Sequence, residues 1–256
     1  MNIGFIGTGE ITKSVILGIL NSKIKFNKIY ISRRNRNVSN YLKNKNKKIK
    51  VINNNQDIVD RSKFVFLAIT PEVGKKIIKT IKFKKSNIVV SFISTIKLNE
   101  LKKYINTNCQ IIRAIPLPPI SLGVGPVPIY PPNKHVKQFF DKIGKTVEIN
   151  NEDLSLNFWA MSSMMAPYYE MLSHLSLWLT KKGLKKNKAE KYITSLFLGL
   201  SQNADRNRFK NLQELVIKSQ TPKGLNEQAL KILKRSHFYK KLNITSDKIL
   251  KRLKEK

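Results

Sequence analysis

The chain has 256 residues, 41% of them hydrophobic, one cysteine and a formal net charge of +33. That length and apolar content suit one large or two ordinary cored domains and exclude a globally disordered chain. The single thiol, Cys109, excludes an internal disulfide and a zinc site built on several cysteines. Lysines stand on almost every predicted exposed face and do not gather into one stripe with interleaved aromatics, so the charge reads as compositional bias and no specific nucleic-acid partner is expected. No apolar run reaches bilayer-spanning length, and residues 1–7 read as a strand, not a leader. The expectation is a cytoplasmic protein with no membrane partner.

In chain order, NIGFI is short, apolar and bounded by glycine, the signature of a strand. Ile11, Val15, Ile16, Ile19 and Leu20 then recur at helical spacing. KIYIS (28–32) and KIKVI (48–52) predict further strands, with short helices over NVSNYLKNK and NQDIVDRS. KFVFLAI (63–69) and NIVVSFI (87–93) are nearly all apolar, as strands covered on both faces must be. Between them PEVGKKIIKTI predicts a helix with Pro71 near its first turn. LNELKKYI predicts a helix and CQIIRAI (109–115) a strand. The proline-rich stretch 113–132 reads as a loop leading into a possible strand, VPIY. HVKQFFDKI predicts a helix and KTVEIN a last strand. The alternation of strand and helix argues for a doubly wound parallel sheet with right-handed crossovers. From Asn151 the sequence is helical almost throughout, with breaks near Gly183, around Asn207 and at TPKG (221–224). The expected division is therefore 1–150 and 151–256.

Gly7-Thr8-Gly9-Glu10-Ile11-Thr12 follows the first strand and opens a helix. Glycines so placed permit a tight turn and let backbone approach a pyrophosphate at a helix N-terminus. Thr12 stands where glycine or alanine is usual, which is expected to loosen the packing of helix on strand. The second strand ends in Ser32-Arg33-Arg34 with no acid nearby. A hydroxyl and planar guanidinium groups suit a 2′-phosphate, so the expected cofactor is NADP(H).

Several stretches, in order along nearly the whole chain, resemble pyrroline-5-carboxylate reductase. IGTGEIT resembles the family's glycine-rich turn, and Ser32-Arg33 its asparagine-arginine after the second strand. FLAITPE (66–72) is similar to its valine-lysine-proline-glutamine segment, with Thr70 for lysine and Glu72 for glutamine. VVSFIST (89–95) resembles its serine-containing fifth strand. Arg113-Ala114-Ile115-Pro116 resembles arginine-valine-methionine-proline, with Leu117 in place of asparagine. MSSMMA (161–166) lies where the family has serine-glycine-serine-glycine-proline-alanine. SQTPKGLNEQAL (219–230) resembles its serine-proline-glycine-glycine-threonine-threonine signature, with Lys223 for the first glycine and Leu225-Asn226 for the threonines.

The resemblance implies a Rossmann-like doubly wound sheet followed by an all-helical dimerisation domain that interlocks two subunits. It implies cofactor contacts from Gly7, Thr8, Gly9, Glu10, Ile11, Ser32, Arg33, Arg34, Ala68, Ile69, Thr70 and Pro71. Ser163, Gly224, Leu225 and Asn226 would hold an imino-acid substrate. Thr221 could supply a hydroxyl, and Glu170 and His174, four apart on one helix face, a proton. Arg113 could bind a carboxylate or only brace the proline-rich loop. The similarity is close at the nucleotide end and weak at the substrate end. The readings left open are NADPH-dependent reduction of a cyclic imine, chiefly pyrroline-5-carboxylate to proline; action on another imino or 2-keto acid; and a nucleotide-binding protein without catalysis.

Overall fold

The computed structural model describes residues 1–93, 95–207 and 211–255. They divide into two compact units, Met1–Trp159 and Ala160–Glu255. The sequence pattern puts the change from alternating elements to helices near residue 150. The contact division falls a few residues later, inside a helix.

In the first unit the described strands are β1 (Ile3–Ile6), β2 (Ile29–Ser32), β3 (Ile49–Ile52), β4 (Phe64–Leu67), β5 (Ile88–Ser91), β6 (Gln110–Ala114), β7 (Pro126–Tyr130) and β8 (Lys145–Glu148). The helices between them are α1 (Glu10–Leu20), α2 (Arg36–Lys45), α3 (Asn55–Arg61), α4 (Pro71–Ile77), α5 (Leu98–Ile105) and α6 (Lys134–Phe140). The sheet order is β3-β2-β1-β4-β5-β6-β7-β8. Every pairing is parallel except β6 with β7. The first six strands thus take the order of a dinucleotide-binding sheet, whose order reverses between β1 and β4.

The nearly continuous apolar runs follow from burial on both faces. Phe64 and Phe66 point into one core layer with Phe5, Ile16 and Phe140. Val65 and Leu67 point into the other with Ile6, Val89 and Leu101. The first layer is aromatic: Phe5 stacks on Phe66 at 4.6 Å, and Phe66 lies 5.4 Å from Phe139. Cys109 packs at the edge of the second layer, where burial raises its thiol pKa.

In the second unit, α7 (Ser155–Ser162) runs across the division, followed by α8 (Met165–Lys181), α9 (Lys186–Asn207), α10 (Leu212–Lys218), α11 (Leu225–Arg235) and α12 (Phe238–Lys254). α8 starts at Met165, after a turn at Ser163 and Met164. Trp178 lies within that helix. A break not expected from sequence separates α11 from α12, where His237 takes φ 57°. Among the described residues no helix is long and apolar enough to cross a membrane.

Gly18 faces the turn Pro118–Leu122, where a Cβ would lie 2.4 Å from the Ile120 carbonyl oxygen. Helix propensity alone favours alanine there by about 1 kcal/mol. The clash is with backbone, so we expect Gly18→Ala to destabilise the protein by roughly 1–3 kcal/mol. Urea denaturation measures it, and unchanged or raised stability would contradict this packing.

Candidate functional site

The site begins where β1 ends. Gly7 takes φ 102°, and a Cβ on it would lie 2.1 Å from the Ala68 carbonyl oxygen. Its N–H donates to Ser32 Oγ at 3.0 Å. The Thr8 hydroxyl reaches both the Ser32 carbonyl and, at 3.0 Å, Ser32 Oγ. The ends of β1, β2 and β4 are thereby tied together. Gly9 is the residue before α1, and a Cβ there would meet nothing within 4 Å. Open space therefore fronts the first turn of α1, whose N–H groups lack intrahelical acceptors. That cradle fits a pyrophosphate.

Thr12 does not loosen the helix, contrary to the expectation from sequence. It is fully buried, and its hydroxyl donates to the Gly7 carbonyl at 2.8 Å. The third position of the glycine motif here closes the turn with a side chain. Glu10 points to solvent and pairs with Lys13 at 3.3 Å, whereas Ile11 packs against the core.

Two open clefts flank the turn. One, of ≈ 540 Å³, is lined by Gly7, Thr8, Gly9, Arg34, Asn35, Arg36, Asn37, Ala68, Ile69 and Thr70. The other, of ≈ 410 Å³, is lined by Ile6, Gly7, Ser32, Arg33, Arg34, Arg36, Asn53, Asn55, Ile69 and Ile77. Both contain guanidinium groups and neither contains a carboxylate. Of the cofactor residues expected from sequence, nine line these clefts. Pro71 opens α4 just beyond Thr70. Arg36, Asn53 and Asn55 were missed. Arg36 belongs to the same SRRNR run, one helix-start further on, and the asparagines follow β3.

Arg113, on β6, meets a carboxylate of the chain itself. Its guanidinium is 2.6 Å from Glu152 Oε1 and 3.3 Å from Ser155 Oγ, and only 6% of the side chain is exposed. The same Glu152 oxygen accepts from the Leu98 N–H at 2.6 Å. The pair braces the segment after β8 onto the sheet. Beside it, Trp159 Nε1 is buried with no hydrogen-bond partner among the described residues.

The remaining expected residues belong to the second unit. Glu170 Oε1 and His174 Nδ1 are 2.9 Å apart on α8, both more than two-thirds exposed in this chain. The Ser163 hydroxyl donates to the Ala160 carbonyl at 2.6 Å. Thr221 to Gly224 form a turn before α11, whose first residues are Leu225 and Asn226. The Thr221 carbonyl accepts from Gly224 N–H at 2.8 Å, with Pro222 second and Lys223 third at φ 60°. Asn226 donates back to the Ser219 carbonyl at 2.8 Å, while Leu225 is 83% exposed. Glu227 accepts from the Lys223 N–H at 2.6 Å and pairs with Lys231 at 2.5 Å. The Lys231 bond, then the Lys223 N–H, lowers its carboxyl pKa. Among the described residues no His, Cys, Asp and Glu cluster could hold a metal ion.

Residues 2–95 match the family model for NADP oxidoreductase, coenzyme F420-dependent. Residues 153–256 match the model for pyrroline-5-carboxylate reductase dimerisation. The chain belongs to the pyrroline-5-carboxylate reductase family. The pyrroline-5-carboxylate reductase of Staphylococcus epidermidis is 24% identical over 241 residues, 90% of this chain and 88% of that protein. Pyrroline-5-carboxylate reductase 3 of Danio rerio is 31% identical over 128 residues. That match spans 49% of this chain and 44%, less than half, of the relative's length. Among solved structures, the Coxiella burnetii pyrroline-5-carboxylate reductase superposes with a TM-score of 0.84 at 21% identity, covering 99% of this chain and 97% of that one. The Plasmodium falciparum pyrroline carboxylate reductase with NADP bound gives 0.83 at 18% identity, covering 100% and 97%. The family's cofactor is NAD(P)H, and the glycine cradle and arginine-lined clefts fit it.

Two substitutions test this geometry. Gly9→Ala meets no protein atom, so stability should fall by no more than about 1 kcal/mol, the cost of a poorer helix cap. NADPH affinity should nevertheless drop by about tenfold or more, because the methyl group enters the phosphate space. Fluorescence titration of NADPH reads this, and an unchanged affinity would remove the pyrophosphate from that turn. Lys223→Gly should stabilise the protein by roughly 0.5–1 kcal/mol, since relief of a left-handed side-chain residue outweighs glycine's entropy. Denaturation at fixed protein concentration checks the sign.

Proposed function

We propose that this chain is a cytoplasmic, homodimeric NADPH-dependent reductase of a cyclic imine, chiefly pyrroline-5-carboxylate to L-proline, acting in proline biosynthesis. The observation that carries the reading is the arrangement of the two matched segments. A nucleotide-binding sheet with a vacant-faced glycine turn is followed by the dimerisation segment of one reductase family. Tyr169, Trp178, Tyr192 and Leu198 on α8 and α9 are each more than half exposed in the single chain, in keeping with a partner subunit.

Nicotinamide, when bound, supplies the hydride. The chain's residues bind and orient. Gly7 and Gly9 bring backbone against the pyrophosphate, with the dipole of α1 behind it. Arg33, Arg34 and Arg36 offer planar donors to the 2′-phosphate, with Ser32 holding the turn beneath them. Ala68, Ile69 and Thr70 wall the cleft on the β4 side. A protonated imine is already electrophilic, so a buried general acid is not demanded of Glu170 or His174. The α11 N-terminus, at Leu225 and Asn226, presents backbone donors to a substrate carboxylate, while the Gly224 N–H is engaged with the Thr221 carbonyl. Thr221 adds a hydroxyl to that turn.

A second reading within the same chemistry is favoured by the turn itself. Leu225 and Asn226 leave no hydroxyl at the two positions, and the Asn226 amide is engaged with Ser219. A different imino or 2-keto acid would suit that altered end.

NADPH oxidation with pyrroline-5-carboxylate, followed by near-ultraviolet absorbance, decides between them. We expect kcat/KM with NADPH to exceed that with NADH by about tenfold or more, and the Arg34→Ser, Arg36→Ser double variant to erase most of that ratio, because each charge-assisted bond contributes about 1.5–3 kcal/mol. NADPH binding without turnover would transfer the assignment to another imino or keto acid. Equal use of the two cofactors would refute the role given to the arginines.

A further inference from the structure

Besides the two clefts at the glycine turn, the sheet carries another at its opposite end. The nucleotide turn lies at the carboxyl ends of β1 and β4. The further cleft, of ≈ 360 Å³, lies at the amino ends of β4 and β5, beside the loop after α1 and against α6. About 13 Å of extended chain, from Phe64 to Ala68, separates the two along β4.

Its floor is apolar. Ile24, Phe64, Ile88 and Phe139 line it, each between 3% and 6% exposed. The rings of Phe64 and Phe139 are stacked on each other at 5.3 Å and make up part of that floor. The rim is cationic. Lys23, Lys25, Lys63 and Lys142 stand around it, all exposed, and no carboxylate lines the cleft. None of the four is among the ion pairs of the described residues.

A lysine-rich surface attracts anions everywhere, but weakly and without shape. Here like charges converge on one concavity with a hydrophobic base. A ligand with more than one negative charge engages several of them at once, and an apolar body covers the small part of the floor that the fold leaves open. We propose that this cleft binds a multiply charged, phosphate-bearing anion with an apolar group, of the size of a nucleoside polyphosphate. The proposal is independent of the reductase reading, because it uses none of the residues of the glycine turn.

The test is calorimetric titration of ATP into protein saturated with NADPH, with tripolyphosphate as the charge-only probe. ATP should bind at one site, about tenfold or more tighter than tripolyphosphate, since the base buries apolar surface on the floor. Lys25→Glu with Lys63→Glu should weaken ATP by about tenfold or more while NADPH affinity stays within about twofold. Lys102→Glu with Lys103→Glu on α5, and Arg34→Ser with Arg36→Ser, should each shift ATP affinity by less than about twofold. Equal binding of ATP and tripolyphosphate, or an equal loss from the α5 reversal, would reduce the cleft to general surface charge. A loss from the arginine pair would place ATP in the nucleotide cleft. Absence of ATP binding would also overturn the proposal.

Discussion

The nucleotide end of this protein rests on one close approach, Gly7 against the carbonyl of Ala68. The β1–β4 register places Ile6 opposite Leu67, so the next residue of each strand must meet where the strands part. Any side chain at position 7 would push them apart. Once that contact is made, the Ile6 carbonyl accepts from Ala68 N–H at 2.8 Å and Thr12 fixes the Gly7 carbonyl from the helix side. Ser32 then draws the end of β2 to the same point. The arginines that follow Ser32 have no choice but to border the cleft. The cofactor preference proposed for this chain would thus follow from strand register as much as from arginine itself.

Position also separates informative charges from the surplus. The chain has 49 lysines and arginines against 16 acids, so most cations have no partner to find. Exposed pairs such as Lys137–Asp141 contribute little to folding. Arg113 and Glu152 differ because the guanidinium is buried and the carboxylate mostly so, and because Glu152 also caps the Leu98 N–H. Removing either partner would strand a charge among apolar neighbours. A guanidinium that sequence reading offered as a ligand for a carboxylate proves to have found one inside the fold.

The strands of the doubly wound half were legible because burial on both faces demands unbroken apolar runs. VFL and IVV leave few alternatives. Pro126 and Pro128 obscured β7, and nothing in the sequence tells that it runs antiparallel to β6. The long connection through residues 117–125 can return in either direction. The cleft was legible at Gly7 and Gly9, where a backbone requirement dictates residue type. It was not legible at Asn53 and Asn55, which reach the cleft only because β3 pairs beside β2. Thr12 was misread for a related reason. The motif rule concerns space, and it does not foresee that a threonine can turn its hydroxyl onto the carbonyl that the tight turn exposes.

The turn before α11 makes the complementary point. Its backbone path needs a positive φ after Pro222, and Lys223 supplies it at a cost that glycine would not incur. The path is held from outside by Glu227 on the Lys223 N–H and Asn226 on the Ser219 carbonyl. Side chains therefore maintain here a shape that a glycine pair would adopt unaided. The turn keeps its backbone donors while its side-chain chemistry changes. Recognition by backbone at a helix N-terminus depends on path, whereas discrimination among acids depends on the groups beside it. On the proposed reading, a chain that holds the first and alters the second would keep the means to bind a substrate carboxylate while its choice of acid changes.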